Sequence, residues 1–409
     1  MNEPGTPPRR AALAFIFVTV VLDMLALGMI VPVLPHLIED FLGGDTSRAA
    51  QMVGYFGTVW AVMQFFAMPV MGALSDRFGR RPVILLSNLG LGLDYLLMAL
   101  APTLWWLLVG RLISGVTAAS ISTAMAYVAD VTPPERRAQS FGLVGVAFGV
   151  GFVFGPAIGG LLGSVDPRLP FWAAALFSLA NAAYGYFVLP ESLPPERRRP
   201  FEWRRANPLG SLRFLRAHRE LFGLAGASFL SNLTHSVLPA VYVLYAAYRF
   251  DWDTRVVGLA LAAVGISSAL VQGLLVGPSV RRFGERQVMI AGLIAGAAGF
   301  LLYALAPSGL WFVAAIPVAA LWGLTGPAAQ GIMTRAVGSS AQGELQGAMG
   351  SLAGIAMMIG PTLFASVFAW SIGDGAGWHF PGSAYALAAS LLVVAALIAA
   401  RATRPQAGA

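Results

Sequence analysis

The chain has 409 residues, 57% of them hydrophobic and 11% charged. Soluble domains carry about 25% charged residues, so this composition, with a mean hydropathy of +0.72, indicates an integral membrane protein. All 26 basic residues are Arg, set against 19 acidic ones for a net charge of +7, and there is no Cys. That excludes disulfides, thiolate metal sites and cysteine nucleophiles. The arginines lie in short clusters between apolar runs, the pattern of cytoplasmic loops and not of a nucleic-acid surface.

Arg9 and Arg10 precede an apolar run that is too long for a signal-peptide core, so it is read as a retained first membrane helix. A membrane span needs about 20 apolar residues. Twelve runs meet that need: 11–35, 49–71, 82–101, 103–127, 138–163, 170–189, 221–246, 255–276, 287–306, 309–333, 344–370 and 380–400. The most polar interruption, 191–220, holds eight Arg between Arg197 and Arg219. It divides the chain into a six-helix half (1–190), a cytoplasmic linker (191–220) and a second six-helix half (221–409). With the N-terminus inside, only Arg48, Arg168, Arg249 and Arg255 fall in outer loops and Arg111 within a span. The positive-inside rule then puts both termini in the cytoplasm.

Between runs two and three stands Gly72-Ala73-Leu74-Ser75-Asp76-Arg77-Phe78-Gly79-Arg80-Arg81-Pro82, with a counterpart at Gly277–Gln287, 205 residues later (277 − 72). At the same offset Ala99-Leu100-Ala101-Pro102 repeats as Ala304-Leu305-Ala306-Pro307, and Gly155-Pro156 as Gly360-Pro361. The halves therefore read as parallel repeats about an axis along the membrane normal. Three charges change sign at this offset: Asp76 becomes Arg281, Arg80 becomes Glu285 and Asp130 becomes Arg335. One ion pair per half is expected, Arg80–Asp130 and Glu285–Arg335, with reversed polarity; the alternative is a set of solvated loop charges. Gly72 and Gly79 suit a tight turn. Gly145, Gly149, Gly151, Gly155, Gly159 and Gly160 suit close packing along helix five, with Gly155-Pro156 as a hinge or simply a tight contact.

Charges within the spans are expensive and therefore informative. Asp94 and Arg111 lie about 10 and 12 Å from the outer ends of consecutive antiparallel helices, and Asp23 about 18 Å from its own, near mid-membrane. A carboxylate whose neighbouring cation moves can load and unload a proton. Asp23, then Asp94, are the candidate proton carriers with Arg111 as the tuning cation; a static buried pair is the structural alternative. At offset 205 these three become Ser228, Gly299 and Ile316, so the titratable groups lie in one half only. Gln64, Phe148, Phe152, Asn181, Asn232, His235, Tyr242 and Gln272 are candidates to line a substrate cavity.

Together these residues resemble the major facilitator superfamily. Gly72-x-Leu74-x-Asp76-Arg77-x-Gly79-Arg80-Arg81 is similar to its loop signature. Gly110-Arg111-Leu112-Ile113-Ser114-Gly115 and Gly155-Pro156-Ala157-Ile158-Gly159-Gly160 resemble the helix-four and helix-five motifs of its proton antiporters. Asp23 with Pro32-Val33-Leu34-Pro35, Gln64, Asp94-Tyr95, Tyr127-Val128-Ala129-Asp130, Leu189-Pro190-Glu191-Ser192 and Gly284-Glu285-Arg286 extend the likeness to bacterial tetracycline/proton antiporters. The resemblance implies an all-α, twelve-helix transporter of the bacterial inner membrane that exports tetracycline-like drugs against protons by alternating access. It also implies coupling roles for Asp23, Asp94 and Arg111, and gate roles for Asp76, Arg80 and Asp130. Mg²⁺ would travel with the drug as a chelate, and no cofactor or metal would be held by the protein. A monomer is expected. Ser268 and Gly296 depart from the pattern, standing where a helix-eight histidine and, in some members, a helix-nine aspartate belong. A multidrug/proton antiporter is the first alternative and a proton-coupled solute symporter a weaker one. No catalytic constellation suggests an enzyme.

Overall fold

The computed structural model describes residues 9–118, 120–203, 207–338, 341–373 and 379–404. Among them every regular element is helical. The first half of the chain forms α1 (Arg9–Ile30), α2 (Leu34–Phe41), α3 (Thr46–Phe78), α4 (Arg80–Leu100), α5 (Leu104–Thr117), α6 (Ser120–Val131), α7 (Arg137–Gly163) and α8 (Leu169–Val188). After α9 (Arg213–Ala217) come α10 (Phe222–His235), α11 (Val237–Phe250), α12 (Thr254–Leu270), α13 (Val276–Leu305), α14 (Gly309–Ala314) and α15 (Ile316–Ala320). The chain closes with α16 (Thr325–Ala336), α17 (Gln342–Ile372) and α18 (Ser383–Ala402). Helix is the structure these runs must adopt, because lipid offers the backbone no partner.

Ten described stretches are long and apolar enough to cross a membrane. One of them, Thr254–Leu305, is 52 residues long and contains two of the twelve expected runs. The expected run 221–246 is absent from the ten because it breaks at Ser236 into α10 and α11, each of 14 residues. Twelve apolar runs thus stand, several of them interrupted. The chain leaves α-geometry in a π-helical turn at Val271–Leu275 and in a 3₁₀ turn at Leu321–Leu324.

The two copies of the charged stretch turn at the same residue. Gly79 has φ 108° and Gly284 φ 76°, a region open to glycine and costly for other residues. Gly72 does not share this role. It lies inside α3, which continues helical to Phe78, and a side chain there would meet no atom within 4 Å. The turn is therefore shorter than expected and belongs to Gly79 alone. Along α7 the expectation also divides. Gly145 and Gly149 face open space, whereas a Cβ on Gly155 would come within 2.7 Å of Gly28 Cα on α1. Helix α7 runs unbroken through Pro156.

Contacts divide the molecule into two units. The first comprises residues up to Leu37, Val59–Asn207 and Thr254–Ala262; the second comprises Ile38–Thr58, Pro208–Asp253 and residues from Ala263 onward. These differ from halves cut by chain order, because the N-terminal part of α3 and the start of α12 each lie with the other set of helices. In the second unit Thr58 Oγ1 on α3 donates to Met358 O at 2.9 Å and meets Thr362 Oγ1 at 2.8 Å. In the first, a Cβ on Gly258 of α12 would lie 2.9 Å from Gly160 Cα. Small residues at both places let the backbones approach.

The cores are unlike. The first unit packs α1, α6 and α7 around Ile16, Val20, Met24, Tyr127, Val128 and Val144. The second is built around aromatics: Phe312 lies 5.1 Å from Tyr242, 4.5 Å from Tyr303 and 6.1 Å from Tyr385, centre to centre.

Candidate functional site

Two polar clusters lie inside the first unit. In one, Arg111 Nη2 donates to Asp94 Oδ2 at 2.5 Å, joining α5 to α4. Both residues are buried. Gly110, beside the arginine, has no Cβ because Asp94 Oδ1 occupies that space. Trp60 Nε1 donates to Ser114 Oγ one turn further along, at 3.2 Å. Isolated charges at this depth are unfavourable, and pairing with short charge-assisted geometry is what makes them tolerable. The pair expected from equal depth on consecutive helices is formed.

The second cluster surrounds Asp23, which is 3% exposed on α1. Asn181 Nδ2 on α8 donates to Asp23 Oδ1 at 3.0 Å and to Thr19 O at 3.1 Å. With the Asn88 amide nitrogen turned to Asp23, it lies 3.3 and 3.2 Å from the two carboxylate oxygens, and Asn88 Oδ1 accepts from Asn181 at 3.0 Å. Three helices thus converge on one carboxylate through amide side chains. Sequence reasoning gave Asn181 to a cavity wall. The structure buries it completely as a partner of Asp23, because an amide deep in an apolar bundle must find a polar group.

The reversed ion pairs are both present, one at the end of α3 and the other between α13 and α16. Arg80 Nε donates to Asp130 Oδ2 at 3.1 Å, and its Nη1 lies 2.6 Å from both Asp76 Oδ1 and Ser75 Oγ. In the second unit Arg335 Nη1 donates to Glu285 Oε1 at 2.6 Å, while Nη2 meets Glu285 Oε2. Arg77 lies exposed over the Phe78 ring at 5.0 Å and makes no part of these pairs. Arg81 reaches Tyr186 O at 2.5 Å. Sequence reasoning missed Glu191, which accepts from Arg80 N at 2.8 Å and Arg81 N at 3.2 Å. The sequence offered it only within Leu189-Pro190-Glu191-Ser192, one of the stretches that carry the family likeness, and gave it no partner.

The remaining cavity candidates separate by exposure. His235 and Gln272 are exposed, with Asn232 and Gln64 half-buried. His235 closes α10 just before the break and lies 5.5 Å from the Trp322 ring, centre to centre. Trp322 Nε1 donates to Ser231 Oγ at 3.0 Å. Gln272 sits on the π-helical turn and Trp322 on the 3₁₀ turn. Phe152 is exposed, while Phe148 packs against the α1–α6–α7 core. Tyr242 is fully buried among Tyr303 and Phe312, so it offers no surface to a ligand; the aromatic cluster, not a cavity, claims it. Among the described residues no group of three or more acidic or histidine side chains could hold a metal ion.

Comparison with known proteins gives a consistent picture. The sequence profile described as Major Facilitator Superfamily matches residues 16–233 and again 224–409. The chain is 40% identical over 376 residues to the class C tetracycline resistance protein of Escherichia coli, covering 91% of this chain and 94% of that one. It is 36% identical to the class D tetracycline resistance protein of Salmonella ordonez, covering 97% and 98%. Among solved structures, the human organic anion transporter MFSD10 (TETRAN) superposes with a TM-score of 0.70 at 26% identity, covering 96% of this chain and all of that one.

Proposed function

This chain belongs to the Major Facilitator Superfamily, and on that footing we propose that it exports tetracycline-like drugs in exchange for protons. It is a multi-pass membrane transporter of small molecules. In the proposed reading it sits in the bacterial inner membrane as a monomer with both termini cytoplasmic, and works by alternating access.

The observation that carries the reading is Asp23: a carboxylate buried on the apolar helix α1 and held by two neutral amides from α4 and α8. A group so placed exchanges a proton only when the surrounding helices shift, which is what coupling transport to a conformational cycle requires. Asp94 and Arg111 supply a second site whose charges can separate and rejoin. Arg80–Asp130 and Glu285–Arg335 brace the cytoplasmic ends of the two repeats. The drug meets the exposed face of His235, Gln272 and the Trp322 ring, carrying Mg²⁺ as part of the chelate.

Inside-out vesicles with an acidic lumen test this directly. With tetracycline and Mg²⁺ outside, the protein should accumulate drug, and accumulation should collapse with a protonophore and with Asp23→Asn. Unaltered transport by Asp23→Asn removes Asp23 from the mechanism. An absence of accumulation by folded protein rejects tetracycline and moves the reading to a broader drug range, screened by compound-induced proton release.

A further inference from the structure

The turn that follows α8 is built into the charged network at the end of α3 more tightly than a linker requires. Glu191 accepts from the first two amides of α4, Arg80 N and Arg81 N, and from Leu193 N at 2.9 Å. No side chain from Gly79 caps this helix. The first-turn amides that a helix leaves open, and the positive end of its dipole, are therefore satisfied from a segment 110 residues away. Ser192 Oγ donates to Asp130 Oδ2 at 3.2 Å, the same oxygen that accepts from Arg80 Nε. Tyr127 Oη donates to Pro190 O at 3.0 Å, tying the turn to α6 a second time. Gly79 is locked by this arrangement as well as by its backbone angle: a Cβ there would lie 2.6 Å from Glu191 Cδ.

Among the described residues, the second unit repeats the glycine without such a cap. A Cβ on Gly284 would meet nothing within 4 Å. Arg81 bonds Tyr186 O, and its counterpart Arg286 bonds Ala400 O at 3.3 Å, an offset of 214 (400 − 186).

We propose that Glu191 is a positioning residue for the Arg80–Asp130 pair, with Ser192 as its partner, so that the 190–193 turn sets whether the cytoplasmic network of the first unit is closed. The carboxylate fixes the first turn of α4 and with it the origin of the Arg80 side chain; Ser192 holds the oxygen that Arg80 must find. Opening the network then requires release of the turn at the head of the linker. This rests on the gate role read for Arg80 and Asp130 and extends it to the linker.

The test is a double-mutant cycle in the natural cysteine-free protein. Glu191→Ala should lower the maximal rate of Mg²⁺–tetracycline uptake at least tenfold with KM within twofold, and Glu191→Gln should recover part of it. Combined with Asp130→Asn, Glu191→Ala should cost no more than the worse single change. Additive losses, or a wild-type rate in folded Glu191→Ala, overturn the proposal. If Glu191→Ala does not fold, the cycle is run with Glu191→Gln. Hydrogen exchange supplies a readout independent of the drug. Asp130→Asn, which touches neither amide, should speed exchange at Arg80 and Arg81 at least threefold, and an unchanged rate overturns the coupling. Should tetracycline prove not to be carried, the exchange result still decides on Glu191 while the uptake result decides on the substrate.

Discussion

The two repeats share a backbone plan and differ in what they place inside it. The first unit buries Asp23, Asn88, Asp94, Arg111 and Asn181. The second places Ser228, Gly299 and Ile316 at the positions matching its three charges, and fills its interior with Tyr242, Tyr245, Tyr303, Phe312 and Tyr385. The contrast is steric as well as chemical. Where Asp94 sits beside Gly110 with room for a carboxylate, a Cβ on Gly299 would lie 2.6 Å from Ala319 N and 2.7 Å from Ala319 Cβ. A duplicated scaffold can therefore assign buried charge to one copy and aromatic packing to the other, because a few glycines decide where polar side chains fit.

The sharpest way to break this contrast is to remove one partner of the buried pair. Arg111→Ala leaves Asp94 unpaired in the bundle and should cost about 3–5 kcal/mol, read as a large fall in melting temperature and yield in detergent. An apolar double replacement, Asp94→Leu with Arg111→Met, should recover much of that stability while transport stays lost. Next in size, Asn181→Ala takes a donor from the Asp23 carboxylate and should cost about 1.5–3 kcal/mol, with altered pH dependence of uptake as the separate sign of a coupling role. In the opposite unit Gly299→Leu should cost about 1–3 kcal/mol by overpacking against Ala319, measured in the same melts. The smallest effect belongs to Glu285–Arg335. The Arg335 side chain is 65% exposed, so Arg335→Gln should change stability by less than about 1 kcal/mol. Asp130→Asn, which disturbs Arg80 and Ser192 together, should exceed it.

Much of this was legible in the sequence, and the reasons are physical. Apolar length defines spans because lipid admits little else, and charges that change sign at a constant offset announce their partners. Arg80–Asp130 and Glu285–Arg335 were readable in that way, and Asp94–Arg111 from their equal depth on consecutive antiparallel helices. Side-chain direction around a helix was not. Asn181 and Tyr242 sit in apolar runs where every face is hydrophobic, so no periodicity tells a buried polar partner or an aromatic core from a cavity wall. Gly72 looked like its neighbour Gly79, and only backbone geometry separates a helical glycine from one at positive φ. The break at Ser236 does carry a local sign, the polar run Asn232, Thr234, His235 and Ser236 followed by Pro239, which removes a helical donor, but the length of the apolar run hides it. Glu191 escaped because its partners are backbone amides, which a sequence does not distinguish from any others.

The tyrosine-rich interior of the second unit has an optical consequence. Tyr385 packs 5.0 Å from Tyr245 and 5.5 Å from Tyr303, and Trp322 and Trp252 adjoin the same cluster through Phe300 and Phe312. Rings held this closely in a fixed chiral array dominate near-ultraviolet circular dichroism, and that signal vanishes when fixed packing is lost. Near-ultraviolet dichroism would therefore carry a strong contribution from the second unit, beside that of the Phe15–Tyr184 stack and the buried Tyr95 and Tyr127 of the first. Loosening around Asp23 and Asp94 would register better in an environment-sensitive dye attached to an engineered thiol on α1, where the absence of native cysteine leaves no background labelling.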